Sequence, residues 1–140
     1  MPEKATVQRA KRDLRRGKSP STAAGEFVRE EIEHVRKGKH GVRSPQQAIA
    51  IGLSKARRAG VPLKPPGRGQ TSKGTRRSAR MDYETGQGKR KPRPPSSKRS
   101  AAVRGALKRE GRGAVSKQAL SAQAKRAATR RKRRTARARK

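Results

Sequence analysis

Five consecutive cations, Arg130-Arg131-Lys132-Arg133-Arg134, followed by Arg137, Arg139 and Lys140, are the residues of this chain best suited to a chemical task. Charges packed this densely repel one another. A polyanion relieves that repulsion, and each neutralised phosphate releases condensed counterions. Arginine outnumbers lysine 26 to 16, which favours forked contacts with phosphate. A second basic run, Lys89-Arg90-Lys91-Pro92-Arg93, leads into Pro94-Pro95. An extended arm of this kind suits phosphate contact and offers Arg93 to a narrow A·T minor groove. The expected nucleic-acid-binding residues are therefore Lys89, Arg90, Lys91, Arg93, Arg130, Arg131, Lys132, Arg133, Arg134, Arg137, Arg139 and Lys140. The only aromatics are Phe27 and Tyr83, which weighs against a reader that stacks unpaired bases and favours duplex DNA over RNA.

Other chemistries fail on spacing. A phosphate-cradling loop ending in Gly17-Lys18-Ser19 would need its first glycine where Arg12 stands. Gly69 and Gly74 have the right interval, but Thr75 occupies the lysine position. His34 and His40 lie six apart, with no cysteine and no carboxylates spaced as a ligand set, so they read as solvated or cap-proximal and no metal is expected. Glu30, Glu31 and Glu33 read as a solvated helix face balancing basic neighbours. No nucleophile, base and orienting acid can be assembled. The chain is expected to be a non-enzyme with no cofactor and no small-molecule substrate.

The elements that must carry these cations follow from composition. The chain has 42 basic and nine acidic residues among 140, a formal charge of +33, and only 28% hydrophobic residues. That combination predicts a small core and much disorder. Residues 1–63 carry a net +9, residues 64–97 +8 and residues 98–140 +16. No apolar run approaches the roughly 18 residues of a membrane span, and no secretory leader is evident.

Residues 1–63 read as three helices. Val7, Ala10 and Leu14 share a face, and Gly17 ends that helix. Ser19-Pro20 opens the second, with Phe27, Val28, Ile32 and Val35 as its apolar stripe and Glu26, Glu30, Glu31 and Glu33 toward the other faces. Ser44-Pro45-Gln46-Gln47 is a capping box for the third, in which Gln47 is expected to reach back to Ser44. Gly60 suits a left-handed terminus, followed by Val61 and the stop Pro62. Gly52 predicts close approach of a partner helix, the second and third helices forming an antiparallel hairpin crossed by the first. The Ser-Pro pairs are caps rather than groove-binding turns, because no basic residue follows them. Prolines and glycines crowd residues 64–97, which read as a disordered linker. Residues 98–140 read as a tail with two helical stretches, one ending at Gly111, coil when free and helical on a polyanion.

The runs from Ser19 to His34 (SPSTAAGEFVREEIEH) and from Arg43 to Gly60 (RSPQQAIAIGLSKARRAG) resemble a family of small, highly basic, largely uncharacterised bacterial proteins. Some of its members are labelled plasmid-stabilisation or DNA-binding proteins. The resemblance covers about residues 1–63 and, more loosely, the tail, which is similar in composition to linker-histone tails. It implies a bacterial cytoplasmic setting and brings no catalytic residues. The sequence thus predicts a mostly α protein: a helical module, a linker and a basic tail. The expected function is non-specific DNA binding as a nucleoid-associated or plasmid-maintenance accessory. The alternatives are an RNA- or ribosome-associated protein, or an adaptor that binds a protein partner through the 1–63 module.

Overall fold

Among the described residues, serine starts five of the six helices. The computed structural model describes residues 2–139. In chain order it holds α1 (Lys4–Arg15), α2 (Pro20–Arg36), α3 (Pro45–Arg58), α4 (Lys73–Gly86), α5 (Ser97–Arg109), a 3-10 turn at Gly113–Val115 and α6 (Lys117–Ala138). The hydroxyls of Ser19, Ser44, Ser72, Ser96 and Ser116 each accept the N–H three residues on, at 3.3, 3.2, 3.2, 3.5 and 3.1 Å. Each bond satisfies a donor that the helix itself leaves unpaired. Among the described residues there is no strand, and no helix is long and apolar enough to cross a membrane.

The hairpin of α2 and α3 forms as its punctuation predicts. Gly60 has φ +97°, and Val61 N–H donates to Ala56 O at 3.1 Å, closing α3 with a left-handed terminus. Gly52 faces α2 so closely that a Cβ there would lie 2.6 Å from Val28 Cα. One detail of the capping box differs. Gln47 Oε1 accepts from the Arg43 N–H at 2.7 Å, one residue before Ser44. Alongside the hairpin, α1 lies against α2.

Two small clusters make the core. Ala10, Ala23, Ala24, Phe27, Ala56 and Val61 form the first, between α1, α2 and the end of α3. Val35, Val42, Ala48 and Val115 form the second, around the α2–α3 turn. Alanine and valine dominate, so Phe27 supplies the largest apolar burial, worth about 1.5–3 kcal/mol.

The reading of Glu30 and Glu31 as solvated is corrected: they are 3% and 0% exposed. The reason is helical register. Glu31 lies four residues after Phe27 and four before Val35, on the line that meets α3. Glu30 turns toward α1, where it accepts the Glu3 N–H at 2.6 Å, a donor that α1 leaves without a partner. Glu33 alone stays on the exposed face, paired with Arg29 at 3.3 Å. Glu26 pairs across to Arg9 on α1 at 2.8 Å.

The disordered linker expected over residues 64–97 is also corrected, because α4 occupies its middle. Ser72 caps α4, Ala79 is buried, and Asp82 binds Ser54 Oγ at 2.7 Å and Arg58 Nε at 2.7 Å on α3. Gly86 is packed so tightly that a Cβ would meet the Arg57 carbonyl. Burial lowers the pKa of Arg57, whose Nε donates to Leu63 O at 3.2 Å.

The tail, expected as coil until neutralised, is helical and partly docked. Gly41 N–H donates to Leu107 O at 2.8 Å and Val42 N–H to Gly111 O at 3.1 Å. Arg36 donates to Val115 O at 3.2 and 3.1 Å. Val115 is 1% exposed. Leu107 and Val115 supply the apolar anchors that hold this segment against the α2–α3 turn. Ala, Arg and Lys supply helix propensity on either side of it.

Candidate nucleic-acid interface

Charge is sorted by the fold. Each of the nine carboxylates has a cation or imidazole within 4.0 Å, and nearly all of these partners lie within or beside α1 to α4. Glu110, the one acid of the tail, faces Arg43 at 3.7 Å. No carboxylate therefore remains for the basic runs singled out from the sequence. Lys89, Lys91, Arg93, Arg130, Arg131, Lys132, Arg133, Arg134, Arg137 and Arg139 are exposed and Arg90 is half-buried. Lys140 lies outside the described residues.

These cations fall on two separate elements. Gly88, with φ +75°, turns the chain out of α4. Residues 89–95 then run without regular structure, as their prolines dictate. On α6, Ala119, Leu120, Gln123, Ala127 and Ala128 are half-buried on one side, and every residue from Thr129 to Arg139 is exposed. The first half of α6 is thus seated on α3 and the 3-10 turn, while the second half is a bare basic rod. Five adjacent cations advance 100° each around a helix, so they encircle it rather than forming one stripe.

A third basic feature was not singled out from the sequence. Arg68, Lys73, Arg76, Arg77 and Arg80 line a cleft with Pro65 and Pro66. Lys73, Arg76, Arg77 and Arg80 follow i, i+3, i+4, i+7 and so share one face of α4. Arg76 Nε is buried with no hydrogen-bond acceptor, a donor left pointing at nothing. The cationic spacing was readable in the sequence. The prolines and glycines on either side of α4 argue against a helix there and mask that spacing.

Chemically these features can do one thing well, which is to donate hydrogen bonds and positive charge to spaced anions. Among protein-family models, curated proteins and solved structures, none matches this chain.

Proposed function

We propose that this protein binds duplex DNA without sequence preference, neutralising phosphates as a nucleoid-associated or plasmid-maintenance accessory in the bacterial cytoplasm. One observation carries the reading. The carboxylates are matched inside and around the helical module, while the exposed second half of α6 keeps its cations unmatched. A helix ringed by cations suits a position with phosphates on both sides, as in a major groove about 12 Å wide. The α4 cleft and the arm at 89–93 add further phosphate contacts. Apart from Arg80, which faces Glu84 at 4.0 Å, none of these cations has a carboxylate partner that would fix it against a base edge, so affinity comes from the backbone and not from sequence.

The finer reading of the tail follows from the same electrostatics. Arg130 to Arg134 oppose helix formation by repulsion, and their intrinsic propensity favours it. Phosphate removes the repulsion, so the outer half of α6 firms up on DNA. The alternative polyanion is structured RNA. Competition between labelled duplex DNA and excess unlabelled DNA or RNA duplex separates them. Displacement by DNA at lower concentration supports the proposal. Displacement by RNA at tenfold lower concentration than DNA would replace it with RNA association.

A further inference from the structure

Away from the basic surface, two histidines and a buried carboxylate converge. Glu31 is fully buried, and its Oε2 has no hydrogen-bond donor. His40 Nε2 lies 3.2 Å from that oxygen. The other ring nitrogen of His40, Nδ1, sits 2.9 Å from Gly41 O, an acceptor only, so Nδ1 carries the hydrogen. In the neutral ring Nε2 is then a bare lone pair facing a carboxylate lone pair. Two acceptors at that distance call for a proton or a metal ion between them. His34 repeats the pattern. Its Nε2 lies 3.3 Å from Glu3 Oε1, an acceptor for its N–H, while its Nδ1 turns inward, 3.8 Å from Glu31 Oε1. One ligand atom from each of Glu31, His34 and His40 lies within 4.8 Å of the other two.

We infer that Glu31, His34 and His40 form a divalent-cation site suited to Zn2+. Two imidazoles and a carboxylate are a zinc donor set, with water in the fourth position. Tetrahedral bonds of about 2.0–2.1 Å place ligand atoms about 3.3 Å apart. The separation of His40 Nε2 from Glu31 Oε2, 3.2 Å, already matches this. The outward hydrogen bonds of both rings, to Gly41 O and to Glu3, are the support that orients metal-binding imidazoles. That bond from His34 also holds the Glu3 carboxyl below its usual pKa. Lys55 occupies Glu31 Oε1 and leaves Oε2 free. The site would tie α2 to the α2–α3 turn, independently of any nucleic acid.

The test uses the full chain with ZnCl2 and, as a spectroscopic probe, CoCl2. Zn2+ is expected to raise the thermal midpoint in a concentration-dependent way. One equivalent of Co2+ is expected to give the intense visible bands of tetrahedral cobalt. Both histidines lie at the rim of the core, 13% and 19% exposed, so His34→Gln and His40→Gln are expected to fold, which far-UV circular dichroism checks. Each should weaken Zn2+ binding by more than about tenfold. Glu3→Gln, which only orients His34, should weaken it by roughly tenfold. Binding unchanged in the folded double variant would overturn the proposal. So would an absence of any effect of Zn2+ or Co2+, with NMR showing His40 as an imidazolium bridged to Glu31.

Discussion

At the scale of single residues, close packing sets the sharpest expectations. Gly52→Ala would gain helix propensity of about 1 kcal/mol, but its Cβ would sit 2.6 Å from Val28 Cα. Overpacking of a backbone contact wins, and we expect a net loss of about 1–3 kcal/mol in a thermal or urea melt. A neutral or stabilising result would mean that α2 and α3 do not meet there. Phe27→Ala removes the largest fully buried side chain of a core whose other buried apolar residues are alanine and valine. It should cost about 3–5 kcal/mol, enough to unfold much of the module at 37 °C. Ser44→Ala loses one cap bond and should cost on the order of 1 kcal/mol. A melt unchanged by that substitution would argue that the cap is dispensable. Of these residues, Ser44 was legible in the sequence because a cap is local, and Gly52 because a glycine inside a helix implies a close neighbour. Glu31 was half-legible. Its register with Phe27 and Val35 put it on the core line, but a carboxylate on that line has an explanation only once Lys55, His34 and His40 arrive from elsewhere in the chain.

At the scale of elements, α4 is where periodicity and composition disagreed. Its apolar residues are few, with Ala79 alone buried. Its tie to α3 is polar, through Asp82 to Ser54 and Arg58. A search for apolar stripes therefore passes over it, and flanking prolines strengthen the wrong impression. The serine caps at 72, 96 and 116 were the available signal. The cationic face of α4 leads to a specific expectation. Arg76→Ala and Arg77→Ala should each weaken DNA binding equally across sequences and flatten the salt dependence by roughly 0.9 per lost phosphate contact. Fluorescence anisotropy with two unrelated duplexes checks both points. Weakening confined to one duplex would instead indicate base reading. In α6, the seated first half and bare second half should respond differently to a polyanion. Circular dichroism of the full chain at 222 nm should show a gain in helix on adding duplex DNA. Replacing Arg130 to Arg134 with glutamine should abolish that gain and leave the thermal midpoint unchanged, because those residues pack against nothing.

At the scale of the whole molecule, the central claim is that a fold which spends its carboxylates on its own helices presents the rest of a +33 charge to phosphate. The most direct measurement is the affinity of the full chain for duplex DNA as a function of salt. If about six to ten phosphates are contacted, log K falls with log[salt] at a slope of about −5 to −9. The slope should be the same for unrelated sequences. It should drop toward zero by several units when Arg130 to Arg134 are replaced with glutamine. A flat salt dependence, or a slope untouched by that replacement, would contradict the account.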